Sequence, residues 1–287
     1  MSLSGCHLVV DWSVLSQARL GGEDRSNVDR LRRACEAAEP LDLKVELDEA
    51  DHLSRPIHFL ASAGADVIGY AGITAGDESE VCGMVHPSWR GRGVGQALLA
   101  HLKAAASELG RESMLVICED AGPAAIAWMH RLGATLESAE RRMVVRLTAT
   151  DTPSTAGAPL EVRPVRAVDH DRVVELLGGE FSDRPEEQRL VGLDGVGIVG
   201  TLRLIESSQR TMIYGFVIDE ARRGTRLGTR MLAAVLERLR ADGVDEVGLE
   251  VSPDNTPAVR LYERFGFETV TTYRYMRLRT APSQLLE

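Results

Sequence analysis

Arg90-Gly91-Arg92-Gly93-Val94-Gly95 and Arg223-Gly224-Thr225-Arg226-Leu227-Gly228 are one turn written twice. The offset, 223 − 90 = 133, holds without a gap for about fifty residues, which marks an internal repeat. At that spacing Leu99 answers Leu232, Gly110 answers Gly243, Ala125 answers Ala258, Arg131 answers Arg264, Gly133 answers Gly266 and Met143 answers Met276. Each turn comes after an apolar strand and opens a helix. Such a turn presents unpaired backbone N–H groups and the positive end of a helix dipole, a ready site for a phosphate. Glycine lets the backbone approach that anion closely. Taken singly, either turn could also be an ordinary strand-to-helix connection.

Outward from the turns, the second copy reads as strand 160–165, short helix 169–177 and a hairpin of 189–193 with 196–205 turning at Asp194-Gly195. Next come strand 211–218, helix 227–241, strand 247–251 and helix 257–265, then strands 267–273 and 275–278. The first copy repeats the plan with a longer entry: strand 8–12, helix 28–38, hairpin 58–63 with 66–73, and strand 81–85. Residues 148–159 lack large apolar side chains and read as a linker. The expected domains are 1–147 and 160–287.

Composition narrows the function. A length of 287 residues suits two ordinary domains. No apolar run reaches membrane-span length, and the first residues lack a signal peptide's pattern. Cys6, Cys35, Cys82 and Cys118 form no paired motif, which suits a reduced cytoplasm and gives no metal site. The net charge of −10 argues against nucleic acid as the main partner. Arginines nevertheless gather at the two turns, which points to a small anion. A monomer or a homodimer is expected.

The two turns and the segments after them resemble the GCN5-related N-acetyltransferase family. Its turn pattern is Arg or Gln, two residues, Gly, one residue, then Gly or Ala. Arg90, Gly93 and Gly95 match in full. Arg223 and Gly228 match in the second copy, where Arg226 stands in the first glycine's place. The second copy also carries Asn255, Ala258, Leu261-Tyr262 and Phe265-Gly266-Phe267 at the family's spacing. The resemblance implies a mixed α/β fold of the α+β type. Two tandem acyl-CoA N-acyltransferase domains are expected, each a mixed, mostly antiparallel sheet with splayed central strands flanked by helices. Acetyl-CoA is the implied co-substrate, held between the splayed strands. The residues implied to hold it are Met84, Val85, Arg90, Gly91, Arg92, Gly93, Val94, Gly95 and Gln96 in the first copy. In the second they are Val217, Ile218, Arg223, Gly224, Thr225, Arg226, Leu227, Gly228, Thr229 and Asn255.

In such enzymes an amine attacks the thioester carbonyl directly, in a ternary complex. A base or water chain takes the amine proton. A backbone N–H on the strand before the turn polarises the carbonyl. The leaving thiolate then needs a proton, and Tyr262 occupies the position of the family's tyrosine donor; its other reading is an aromatic core residue. The first copy has Gly122, Met129 and Ala134 where the second has Asn255, Tyr262 and Phe267, and methionine cannot donate this proton. Arg226 is open to three readings: a strained residue at positive φ, a guanidinium that reaches the phosphates, or a filler of a dead site. Glu250, alternating with apolar Leu249 and Val251, is the candidate base, with Tyr214 behind it. A cross-strand or solvated carboxylate is its alternative reading. Glu78 and Glu80 play the same part in the first copy. Cys118, Trp89 and Trp128 read as packing residues.

The expected function is transfer of an acetyl group from acetyl-CoA to a primary amine of a small molecule, with the C-terminal copy catalytic. That copy has little room for a second helix between Phe181 and Arg189. The resemblance implies that helices between the first two strands wall the acceptor pocket, so the first copy or a partner subunit is expected to supply part of that wall. Two alternatives stand beside this. Length and layout are similar to tandem members that acetylate cysteinyl-glucosaminyl-inositol with their C-terminal half, although Met212 stands where an acidic residue is expected. The other alternative is a non-catalytic acetyl-CoA-binding regulatory protein.

Overall fold

The computed structural model describes residues 12–45, 47, 57–74, 78–147, 160–179, 187–206 and 211–280. The linker expected at 148–159 lies outside the described residues, as does the strand expected at 8–12 apart from Trp12. Two compact units form: residues 1–139 with 271–287, and residues 140–270.

In the first unit β1 (Ser13–Gln17), β2 (His58–Ala63), β3 (Asp66–Ile73) and β4 (Glu80–Val85) are antiparallel neighbours in chain order. β5 (Ser113–Glu119) runs parallel to β4. The helix α1 (Gly22–Ala38) covers one face of this sheet through Val28, Leu31 and Cys35. It begins six residues before the expected start at residue 28, with Glu23 and Asp24 in its first turn, where carboxylates suit the helix dipole. The helix α2 (Val94–Glu108) covers the other face. Its Val94, Leu98 and Leu102 recur every four residues, so they share one side and pack against Phe59, Ala71 and Val81. The helix α3 (Pro123–Arg131) comes after β5 and buries Met129.

The second unit repeats this plan. β7 (Glu161–Pro164), β8 (Glu187–Leu193), β9 (Ile198–Glu206) and β10 (Thr211–Ile218) are successive antiparallel neighbours, and β11 (Glu246–Val251) lies parallel to β10. The short helix α4 (His170–Leu177) lies against β9 and β10. The helix α5 (Leu227–Ala241) supplies seven buried residues, among them Met231, Leu232 and Val235 with no exposed surface. The helix α6 (Thr256–Arg264) comes after β11.

The final strand of each copy is exchanged. β6 (Thr135–Arg146) belongs by sequence to the first copy, yet its residues Arg141–Arg146 pair with β11 in the second unit. β12 (Glu268–Arg279) belongs to the second copy, yet Tyr273–Arg279 pair with β5 in the first unit. The matched methionines show the same exchange. Met143 is buried in the second unit's core and Met276 in the first unit's. The two strands expected at 267–273 and 275–278 are one, because Arg274 pairs with Cys118 in an unbroken ladder.

Candidate active site

Both central strand pairs fork. β4 and β5 are paired only at Glu80–Leu115 and Val81–Val116. β10 and β11 are paired at Thr211–Val247, Met212–Gly248 and Ile213–Leu249. Beyond those rows the strands part, and each fork opens toward the turn that comes after β4 or β10.

The turns share one backbone. A short 3-10 turn succeeds each strand, Pro87–Trp89 or Glu220–Arg222. Each is capped by the residue before it: Ser88 N–H donates to His86 Nδ1 at 3.3 Å, and Ala221 N–H donates to Asp219 Oδ1 at 3.0 Å. Gly91 and Gly93 have φ of 74° and 85°, and Gly224 and Arg226 have φ of 78° and 63°. Arg226 is the one non-glycine residue at positive φ among the described residues. It immediately precedes α5, as Gly93 precedes α2, so the open N–H groups of the first helical turn are kept in both copies. Val94 and Leu227 are buried just inside the helices and anchor them. Gly95 and Gly228 each stand at the second residue of the helix, where a side chain would make only ordinary contacts. A Cβ on Gly95 would touch the Trp128 ring at 3.5 Å, and one on Gly228 would touch Leu261 at 3.6 Å.

This geometry gives the strained reading of Arg226 a consequence. A left-handed arginine costs about 1 kcal/mol relative to glycine. Arg226→Gly is therefore expected to raise the melting temperature by about 3 °C. Acetyl-CoA titration of the same variant separates the other readings: weaker binding despite the gain in stability marks a guanidinium that reaches phosphate. An unchanged or lower melting temperature would refute the strain.

The turn's other arginines have protein partners. Arg90 donates from Nε to the Val85 carbonyl at 3.1 Å and from Nη1 to Glu39 at 2.6 Å. Arg92 lies over the Trp89 ring at 5.1 Å, which gives that tryptophan a partner beyond packing. Arg223 reaches Glu220 at 3.3 Å, and Arg222 is ion-paired with Asp194 at the β8–β9 hairpin. That guanidinium holds the Asp194 carboxyl down at about 2. Met84 is buried against the α1 face, whereas Val85, Val217 and Ile218 are half-buried beside the forks. Thr225 donates to the Arg222 carbonyl at 2.6 Å, and Thr229 accepts from Arg264 at 3.4 Å. Gln96 is exposed on α2.

Where the copies differ, the structure differs. Along β10, Tyr214 opposes Arg203 and Val217 opposes Thr201, so Gly215 and Phe216 both face Leu202. This is a β-bulge, with Gly215 at φ 54°, and it turns peptide groups out of the ladder at the fork. β4 has no bulge: its pairing with β3 is unbroken from Val81 to Val85. Sequence reading missed the bulge, although a glycine inside a strand is its usual signal.

Tyr262 is 7% exposed, and its ring lies 5.7 Å from that of Phe267. Burial pushes its phenol up to about 12, so it holds its proton at neutral pH. Its counterpart Met129 is likewise buried. Asn255 accepts from Ala258 N–H at 3.3 Å and so caps α6, which Gly122 cannot do for α3. Glu250 is half-buried and stands directly opposite Arg142 of β6. Glu78 and Glu80 lie at the closed end of the β4–β5 fork, away from its opening, and Glu78 is ion-paired with Arg277 at 2.9 Å. That placement removes them from the role expected of them. Cys118 is buried and its thiol is pushed up to about 11, as a core residue's would be.

The first unit's fork is also covered on its α1 face. Glu119, at the end of β5, accepts from Asp42 N–H at 2.8 and 2.9 Å and from the Thr271 hydroxyl at 2.7 Å. Burial raises its carboxyl above the ordinary value. Tyr273 donates to the Asp42 carbonyl and Lys44 to the Tyr275 hydroxyl, each at 2.8 Å. Residues 41–45 are thereby fastened over β5 and β12.

Comparison with known proteins agrees with this architecture. The acetyltransferase (GNAT) family model matches residues 26–134 and 158–267. A mycothiol acetyltransferase of Sanguibacter keddieii is 30% identical over 291 residues, covering 88% of this chain and 92% of that protein. Another, of Actinosynnema mirum, is 29% identical over 284 residues, covering 85% and 93%. A GCN5-related N-acetyltransferase structure from Sphaerobacter thermophilus aligns with a TM-score of 0.74 at 20% identity, covering 94% of this chain and 96% of that one. A tandem GNAT protein from the clavulanic acid biosynthesis pathway aligns at 0.69 and 18%, covering 96% and 100%.

Proposed function

The chain belongs to the acetyltransferase (GNAT) family, and from that premise we propose that it carries acetyl groups from acetyl-CoA to a primary amine of a small molecule, with the second unit catalytic. The repeats are taken as residues 1–147 and 160–287. One observation carries the choice of unit. Fork, bulge and phenol coincide in the second unit, at β10–β11, Gly215–Phe216 and Tyr262. The first unit has the fork with an unbroken β4, Met129, and residues 41–45 fastened over it.

The residues present fit acetyl-CoA. The exposed turn from Gly224 to Arg226 and the first N–H groups of α5 suit the pyrophosphate. The parted strands leave unpaired backbone for the pantetheine arm. Bound acetyl-CoA supplies a thioester carbonyl open to attack. A backbone N–H of the Gly215–Phe216 bulge polarises that carbonyl. Glu250 or a water it orders takes the amine proton, and the Tyr262 hydroxyl meets the sulfur as the C–S bond breaks. A second reading, acetylation of cysteinyl-glucosaminyl-inositol, is favoured by the relatives named mycothiol acetyltransferase. Met212 counts against it, because this buried thioether lies 3.6 Å from Arg142 where a carboxylate is expected.

The test pairs two variants, Gly93→Asp and Arg226→Asp. Asp tolerates a left-handed backbone and sets a negative charge before the phosphate-binding helix. Acetyl-CoA consumption with a panel of amines is expected to fall with Arg226→Asp. A loss confined to Gly93→Asp would move the active site to the first unit. Binding without turnover by the unaltered protein would favour the regulatory alternative.

A further inference from the structure

The second unit's phosphate turn is tied down by side chains that alternate in charge. Arg172 of α4 pairs with Asp219 and, one turn along the same helix, with Glu175 at 2.7 Å. Asp219 immediately follows β10, and its other oxygen caps the 3-10 turn at Ala221 N–H. Arg222 closes that turn and pairs with Asp194 of the β8–β9 hairpin. Asp194 also accepts from Val196 N–H at 3.1 Å, so the hairpin holds its carboxylate in place. The Asp194 side chain is 9% exposed and that of Asp219 18%. Pairs so enclosed are screened less than open surface pairs.

The series Glu175, Arg172, Asp219, Arg222, Asp194 leads into the turn itself. Arg222 N–H donates to the Asp219 carbonyl at 3.0 Å, and the Arg222 carbonyl accepts from the Thr225 hydroxyl at 2.6 Å. Thr225 adjoins Arg226, the residue at φ 63°. A left-handed arginine favours relaxation of the turn into another shape. Arg222 opposes that relaxation with its side chain on one side and its carbonyl on the other. The first unit is built differently. Its two positive-φ positions are both glycine, Gly91 and Gly93. His86 and Trp89 stand in the places of Asp219 and Arg222, so neither charge is present. Its turn is joined instead to the end of α1, by Arg90 and Glu39. The charged series thus accompanies the copy whose turn carries the strained residue.

We infer that Asp194 and Arg222 are positioning residues for acetyl-CoA. Their pair, anchored through Asp219 and Arg172, holds residues 223–226 in the shape that receives the pyrophosphate. The inference rests on the proposal that the second unit binds acetyl-CoA. A turn that is receptive for only a fraction of the time binds with an affinity reduced by that fraction. The pair therefore acts on affinity without touching the ligand, and Arg226 is what makes it necessary.

The test is a double-mutant cycle read by calorimetric titration of acetyl-CoA. All proteins carry Gly93→Asp, which sets a negative charge at the first unit's turn and leaves the second unit to report. Asp194→Asn and Arg222→Gln are each expected to raise Kd about fivefold, and the two together no further than either alone. Arg222→Lys, which keeps the charge, should recover part of the loss. With Arg226→Gly added, Asp194→Asn should change Kd by less than about twofold, because glycine takes the left-handed shape without strain. A merely structural pair would lower the melting temperature equally in both backgrounds and show no such coupling in affinity. If Asp194→Asn does not fold, Arg222→Gln completes the same cycle. An unchanged Kd in the single variants overturns the inference, and so does a fivefold loss that persists with Arg226→Gly. Either result leaves the second unit's acetyl-CoA site standing. Absence of binding by the Gly93→Asp protein, with its melting temperature intact, removes that site and the inference with it.

Discussion

Residues 156–287 expressed alone should give no cooperative melt and no acetyl transfer, although they contain the whole second copy. The cause is the exchanged strand. β11 would lose β6 and with it six ladder rows, from Glu246–Arg146 to Val251–Arg141. Met143, 1% exposed, would leave the core, together with its neighbours Val145 and Leu147. Removing one large buried side chain costs about 2–5 kcal/mol, and a domain's whole stability is about 5–15 kcal/mol. The loss of one such side chain, two half-buried ones and a six-row ladder exceeds what the fragment can bear. Its own β12 would add a second defect. Tyr273, Tyr275, Met276 and Leu278 are buried in the first unit, and without β5 they would stand on an open strand edge prone to aggregation. Circular dichroism during heating, with sedimentation for aggregates, checks the outcome. A soluble fragment with a sharp transition and full turnover would show that the exchange is dispensable. Restoration of folding by co-expressing residues 1–147 would show that β6 is the missing part.

The exchange was illegible in the sequence for a physical reason. β6 and β12 are copies of one another, with Met143 and Met276 at the same step of the same alternation. Alternation decides which side chains face a core, and it is blind to which core receives them. The pieces that depend on local chemistry were legible. The turn glycines, the buried face of α5 and the closure of α6 by Gly266 all come from spacing and backbone freedom within a few residues. The positive φ of Arg226 was implied by its place in the repeat. The bulge had a local signal in Gly215. The placing of Tyr214 and Glu250 side by side had none, because it comes from the register of β10 with β11. The role expected of Glu78 and Glu80 failed similarly, since the sequence placed them near the right strand without saying which end of it forks.

Tyr262→Phe should lower kcat about a hundredfold, leave the KM for acetyl-CoA nearly unchanged, and leave the fold intact. The ring's packing against Phe267 survives the change, since only the hydroxyl is removed. The aromatic-core reading of Tyr262 predicts the opposite for the rate, because Phe fills the same volume. The variant thus separates an acid from a packing residue at one atom's difference. The pH profile adds a second check. Burial pushes the phenol from its usual value near 10 up to about 12. A raised folded value contributes stability that is complete below the unfolded pKa and is lost as pH rises through the folded one. The unaltered protein should therefore lose this contribution between about pH 10 and 12, a slope that Tyr262→Phe lacks. By the same reasoning, the phenol stays protonated throughout the physiological range, so kcat should show no alkaline limb from this residue below about pH 10. A Phe variant with unchanged kcat would return Tyr262 to the core alone. The proton for the departing thiolate would then have to come from solvent entering through the fork.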